Sequence, residues 1–423
     1  MKKRTPGDYR RALPTALLLL ATIPAAHAEE SPRVTPADWY WGPANRWSWQ
    51  HMRRIFPTAN ISRGSGPAAP LREAPRDVSK VAFIDPVSHR SMTVEEMLGA
   101  TYTDGFIVLK DGAIVFERYL NGMTRTTPHL LMSVTKSFVG TLTGVLAERG
   151  QIDPEALVTD YLPELKGGVF EGAKVRNLLD MTVAAKIGGD PYTPIDQSAG
   201  WLPGDASSAA GLRRFLATLK ERDGAHGAKF IYLDPSPQAM AWIIERVTKK
   251  DFSEVLQEQL WSRLGAESDA YIVLDHYQEA YTTPGLNMTL VDLARFAQMM
   301  AQGGKYNGQQ IVPSQWVNAI RAGGDRAAWD AGIAGRDYDD IKALPGHLHG
   351  SYRDYWWGTG SQCGRFAGIG IGGQLVVVDP VANMVAVKLS STPDIPSGET
   401  TTITAYQAID TIIRTLSGHG CRD

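Results

Sequence analysis

The strongest constraint on the fold is where the chain keeps its strand-forming runs. Gly105-Phe106-Ile107-Val108-Leu109-Lys110 and Ala113-Ile114-Val115-Phe116-Glu117-Arg118-Tyr119 are joined by Asp111-Gly112. That dipeptide tolerates the positive φ angles of a two-residue hairpin turn. The next comparable runs, 374–379 and 384–389, lie near the other end of the chain. Between them apolar residues recur at helical spacing, as in 175–181, 212–219, 238–248, 252–264 and 290–301, and a last amphipathic stretch spans 404–416. Strands at both ends with helices between predict an α+β fold, in which an antiparallel sheet built from both termini is flanked by helices and carries a mainly helical insertion. The expected organisation is a leader at 1–28, a Trp-rich segment at 29–75, a sheet domain from 76–130 and 341–423, and a mainly helical region at 131–340.

Composition allows a large core and removes several function classes. Of 423 residues, 43% are hydrophobic and 21% charged, which are globular proportions. Lys and Arg number 43 against 45 Asp and Glu, so no basic excess draws the chain to nucleic acid or anionic lipid. Two cysteines, Cys363 and Cys421, are too few for a structural zinc site or a disulfide framework. Lys2, Lys3, Arg4, Arg10 and Arg11 precede an apolar stretch at 12–25 and the small-x-small run Ala26-His27-Ala28. This pattern reads as an export signal cut after Ala28, with an apolar stretch too short to span a bilayer. No cysteine follows the cut to carry a lipid. The expected product is periplasmic or secreted, with net charge −6, no stable membrane anchor, and a compartment in which Cys363 and Cys421 are free to pair. Trp39, Trp41, Trp47 and Trp49 fall within eleven residues, as expected of a segment that wraps the body and docks aromatic anchors.

The chemistry is concentrated in Leu131-Met132-Ser133-Val134-Thr135-Lys136-Ser137-Phe138. Pro128 precedes a helical pattern that Gly150 ends, so Ser133 and Lys136 stand one turn apart on one face at a helix N-terminus. A serine hydroxyl needs a neighbour to take its proton, a partly desolvated lysine can do so, and the helix N-terminus favours a developing oxyanion. By itself the four-residue pattern is weak, and its default reading is a surface serine and lysine on an ordinary helix. Gly368, Gly370 and Gly373 spell G-x-G-x-x-G, but a Val-rich strand follows where a dinucleotide fingerprint requires a helix. His347-Leu348-His349 lacks an acidic or Cys partner at ligand spacing and reads as a polar loop. There is no G-x-S-x-G elbow.

The stretch 131–158, LMSVTKSFVGTLTGVLAERGQIDPEALV, resembles the nucleophile helix of the serine β-lactamase-fold hydrolases, in particular the class C and penicillin-binding group. It is most similar to the nylon-oligomer amidases of that group. Asn45-Arg46-Trp47-Ser48-Trp49 resembles the aromatic segment of that subfamily, and Phe230-Ile231-Tyr232 with the helix after it resembles its tyrosine loop. The run 368–374, followed by Asp379-Pro380 and Lys388-Leu389-Ser390-Ser391, resembles its closing strands. The resemblance covers most of the chain beyond the leader. It implies that Ser133, Lys136 and Tyr232 are catalytic, that the backbone N–H groups of Ser133 and Ile371 form an oxyanion hole, and that Gly370 and Tyr192 meet substrate. From the residues alone Tyr232 is one of 15 tyrosines. Two boxes depart from the family pattern. Tyr232-Leu233-Asp234 stands where Tyr-x-Asn is usual, and Gly368-Ile369-Gly370 lacks the cation of Lys-Thr-Gly or His-x-Gly. A substrate carboxylate would then need another donor, with Arg353 and Arg365 closest upstream. The implied activity is an exported serine hydrolase that cleaves small amides or esters through an acyl-enzyme, without metal or cofactor. The alternatives are a β-lactamase or D-alanyl peptidase, and a non-catalytic peptidoglycan-binding relative, against which Ser133, Lys136 and Tyr232 together argue. Oligomeric state is left open.

Overall fold

Asp111 and Gly112 both take positive φ, 52° and 71°, and close a hairpin in which Lys110 faces Ala113. That hairpin belongs to the main sheet. A computed structural model describes residues 34–186, 192–204, 210–333, 350–358 and 363–418. The leader, Asp190-Pro191, His347-Leu348-His349 and Cys421 lie outside the described residues.

In chain order the main-sheet strands are β1 (Arg72–Glu73), β2 (Thr103–Lys110), β3 (Ala113–Tyr119), β4 (Ser351–Arg353), β5 (Trp356–Gly358), β6 (Phe366–Gly370), β7 (Gln374–Asp379) and β8 (Met384–Ser390). Their spatial order is β4-β5-β6-β7-β8-β2-β3-β1. The last strands of the chain therefore pair with the early hairpin, with Val387 of β8 opposite Ile107 of β2. All neighbours are antiparallel except β1, which lies parallel to β3. This is the expected α+β arrangement. Every residue of β7 and β8 is buried, so both faces of the sheet are covered, and the two strands read as continuous Val-rich runs for that reason.

Among the described residues the longest helices are α1 (Val134–Glu148), α2 (Pro235–Thr248), α3 (Leu290–Ala301) and α4 (Ile395–Ser417). The first thirteen residues of α1 are all buried, which fits a helix that, Lys136 apart, carries apolar or small side chains on every face. Phe138 of α1 stacks on Phe296 of α3 with centroids 3.8 Å apart, and α3 packs on β8, β7 and β2. Helix α4 begins at Ile395 rather than near 404. Asp394 caps it by accepting the Ser397 N–H at 2.7 Å, but Gly398 and Thr400–Thr402 are weak helix formers and hide its first turns from periodicity.

Other departures have a similar cause. Thr58–Ile61, Ala270–Val273, Leu286–Thr289 and Pro128–Leu130 form a second, four-stranded sheet in that order. Strands of three or four residues are too short for alternation to register, and so are β4 and β5. The predicted helix at 252–264 forms, but its middle, Gln257–Trp261, is a π-turn. In the N-terminal segment Trp39 and Trp49 are fully buried, and the Trp39 indole N–H donates to Trp201 O at 2.8 Å. Among the described residues no helix is long and apolar enough to cross a membrane.

Gly140 lets α1 approach the turn between β4 and β5. A Cβ there would lie 2.0 Å from the Asp354 carbonyl oxygen. In an open helix interior Gly→Ala gains up to about 1 kcal/mol. Here the added carbon has no room, and overpacking of this kind costs about 1–3 kcal/mol. Gly140→Ala should therefore lower the thermal midpoint by about 1–4 °C, read by calorimetry or circular dichroism. An increase would show that the helix is not seated this tightly.

Candidate active site

Ser133 is the N-cap residue of α1, with helix-like backbone angles (φ −65°, ψ −9°), and its side chain makes no capping bond. Its Oγ is therefore available to other partners. The chain reaches it through Met132 at φ 48°, an uncommon conformation for a side-chain-bearing residue, held by Leu131 N–H on Leu286 O and Leu130 N–H on Trp49 O. Lys136, one turn on, is fully buried. Its Nζ donates to Ser133 Oγ at 2.7 Å and to Thr283 O at 3.3 Å. It is also ion-paired with Asp234 Oδ1 at 3.0 Å and lies 5.1 Å from the centroid of the Tyr232 ring. Burial pushes the Lys136 ammonium below the usual lysine range, while Asp234, and Asp196 more weakly, push it back. A lysine of reduced proton affinity at hydrogen-bond distance from a hydroxyl has the geometry of a base for that hydroxyl.

Ser133 opens onto a cavity of about 180 Å³. Tyr192, Tyr232, Trp357, Ile371, Ile395 and Ile403 make its wall predominantly apolar, and Glu399 adds a carboxylate. Tyr232 stacks on Trp357, with centroids 5.5 Å apart at 23°. The end of β6 lies directly against the start of α1: a Cβ on Gly370 would come within 2.8 Å of Leu131 O and 3.0 Å of Ser133 N. The Ser133 N–H belongs to the helix start, where amides lack intrahelical acceptors, and Ile371 follows β6 on the same cavity wall. The turn after Ile371 depends on Gly372 and Gly373, at φ 80° and 86°. A Cβ on Gly372 would lie 2.2 Å from the Trp49 ring, so the N-terminal segment backs this turn. Gln374 Nε2 donates to Ile371 O at 3.3 Å and Ser390 O at 2.6 Å, which ties the turn to β8.

The structure thus brings Ser133, Tyr192, Tyr232, Gly370 and Ile371 to one cavity, with Lys136 beneath Ser133. Sequence reasoning missed Asp234 as a partner of Lys136, although Tyr-x-Asp was visible. It also missed the wall that Ile395, Glu399, Thr402 and Ile403 supply, because the first turns of α4 carry no helical signal. Neither arginine suggested as a carboxylate donor lines the cavity. Arg365 is buried between Asp379 and Asp410, at 2.8 Å from each, and Arg353 pairs with Asp180 at 2.9 Å. Among the described residues no group of three or more His, Cys, Asp or Glu is placed to hold a metal ion.

Residues 92–409 match the family model described as Beta-lactamase. The chain is 38% identical over 380 residues to the 6-aminohexanoate-dimer hydrolase of Paenarthrobacter ureafaciens, an alignment covering 88% of this chain and 91% of that one. A solved structure named as a candidate 6-aminohexanoate-dimer hydrolase from Bacillus anthracis superposes with a TM-score of 0.79 at 28% identity, covering 91% of this chain and 98% of the other. The octameric penicillin-binding protein homologue from Pyrococcus abyssi shares the fold, with a TM-score of 0.57 at 17% identity over 77% of this chain and 76% of that one.

The fit of Gly370 against Ser133 has a direct chemical readout. Gly370→Ala should slow labelling of Ser133 by a fluorophosphonate by about tenfold or more, because the added carbon must displace backbone that positions the hydroxyl and its neighbouring amides. Labelling at the wild-type rate in a folded variant would contradict this geometry.

Proposed function

This chain is a hydrolase of the Beta-lactamase family, and from that premise we propose that it cleaves small linear amides or esters through an acyl-enzyme on Ser133. The observation that carries the reading is the buried Lys136 Nζ at 2.7 Å from Ser133 Oγ on the wall of an apolar cavity. Lys136 takes the Ser133 proton as Oγ attacks the substrate carbonyl. The N–H groups of Ser133 and Ile371 hold the oxyanion. Tyr232, beside Lys136, passes the proton to the leaving amine or alcohol as the C–N or C–O bond breaks. Water then attacks the acyl-enzyme, releasing the acid and returning the proton to Ser133. Tyr192 and Gly370 meet the substrate across the cavity.

The amidase and esterase reading is favoured over β-lactamase or D-alanyl peptidase activity by what faces the cavity. Gly368-Ile369-Gly370 on β6 offers no cation, and Arg353 and Arg365 are held by carboxylates elsewhere. Similarity to a 6-aminohexanoate-dimer hydrolase supports linear amides as substrates. The reading needs no metal or cofactor and involves neither nucleic acid nor a membrane anchor. The leader pattern supports a periplasmic or secreted product.

Ser133→Ala should abolish hydrolysis of p-nitrophenyl acetate and of the linear 6-aminohexanoate dimer, with a loss of several powers of ten in a folded protein. Near-wild-type turnover would sink the assignment. On one preparation, kcat/KM for nitrocefin should fall well below that for p-nitrophenyl acetate. A carboxylate bound without a charged partner forfeits about 1.5–3 kcal/mol. Nitrocefin turnover near the diffusional ceiling, about 10⁸ M⁻¹s⁻¹, would make this a β-lactamase instead.

A further inference from the structure

The segment Tyr232-Leu233-Asp234-Pro235-Ser236-Pro237 places a carboxylate where it cannot serve the helix it precedes. Asp234 is the N-cap residue of α2, yet its side chain makes no capping bond. The usual partners of such a carboxylate are the second and third backbone N–H groups of the helix. Here the second, on Ser236, donates to Leu233 O at 2.9 Å, and the third position is Pro237, which has no N–H. Asp234 is 9% exposed and faces the buried Lys136, with Oδ1 at 3.0 Å from Nζ.

We propose that Asp234 is the positioning residue that sets the pH at which Lys136 can accept the Ser133 proton. This deepens the acyl-enzyme reading above and rests on it. Among the described residues, the groups facing Lys136 are Ser133 from its own helix, Tyr232 and Asp234 from the segment before α2, Thr283 O from the loop before Leu286–Thr289, and Asp196 from the short helix Thr193–Ser198. Asp196 accepts the Tyr281 hydroxyl at 2.6 Å. Burial favours the neutral amine, and the two carboxylates favour the ammonium. The neutral amine is the form that takes a proton from Ser133. Removing the nearer negative charge lets Lys136 lose its proton at lower pH, so the rising limb of the rate profile moves toward acid. A neutral residue at 234 would leave an amine ready at lower pH.

The test measures two rates against pH in the full chain: labelling of Ser133 by a fluorophosphonate, and kcat/KM for p-nitrophenyl acetate. In Asp234→Asn the rising limb of both should move toward acid by about one to three pH units, the effect of one opposite charge within 4–6 Å. In Asp234→Glu, which keeps the charge, the limb should stay near its wild-type position while the rate falls. If the Asn variant does not fold, Asp234→Ser makes the same neutral change in a smaller side chain and is read the same way. A neutral variant whose rates fall equally at every pH, with the limb unmoved, overturns the inference and leaves Asp234 a structural residue. An unlabelled Ser133 in the wild-type protein overturns the acyl-enzyme reading itself, and this inference with it.

Discussion

The arrangement hinges on one ammonium group held out of water. A lone buried charge is unfavourable by many kcal/mol, so Lys136 is sustainable only where several segments supply partners to it together. Ser133 comes from the same helix, Asp234 from the segment entering α2, and Thr283 from the loop before Leu286–Thr289. The small sheet fixes two of these relative to each other. Pro128–Leu130 leads into Ser133, Leu286–Thr289 follows Thr283, and the two strands pair with His129 opposite Met288. The Thr283 hydroxyl, in turn, donates to Asp234 O at 2.8 Å, which joins the third segment to the other two. What reads as four short, unremarked strands is the frame that sets the distances around the lysine.

The larger features were legible because they rest on local chemistry. Asp111-Gly112 announces its hairpin, the Val-rich runs of β7 and β8 announce buried strands, and Ser133 with Lys136 needs only helical spacing to be placed on one face. What was hidden depends on partners distant in sequence. Tyr232 carries no local mark that separates it from other tyrosines; the family resemblance named it, and its stacking on Trp357 and its place beside Lys136 appear only in the fold. The cavity wall formed by α4 was invisible because Gly398 and the threonines after it spoil the helical signal. Asp234 was noticed as a departure from a pattern, but its meaning appears only once Pro237 is seen to deny it a capping partner.

The N-terminal segment is more than a wrapper. Trp49 fills the space that a side chain at Gly372 would need, and its carbonyl oxygen accepts the Leu130 N–H. One residue therefore touches both sides of the site: the turn carrying Ile371 and the strand leading to Ser133. Trp39, Trp201 and Tyr281 continue this aromatic packing edge to face, with centroids 4.8 and 4.9 Å apart, as far as Asp196. The packing thus connects the first described residues of the chain to the electrostatics around Lys136.

The pairing of β8 with β2 has a consequence for how the molecule comes into being. Those two strands are neighbours in the sheet, but about two thirds of the chain, residues 111–383, lies between them in order of synthesis. During translation the β2–β3 hairpin must wait, with one edge open, until the C-terminal strands have emerged, and closing so long a loop is slow. The same delay applies to the wall of the site, because Gly370 and Ile371 reach Ser133 only when β6 is laid down. A chain released short of β6 would carry Ser133 and Lys136 yet lack the cavity wall that Gly370, Ile371 and the first turns of α4 supply.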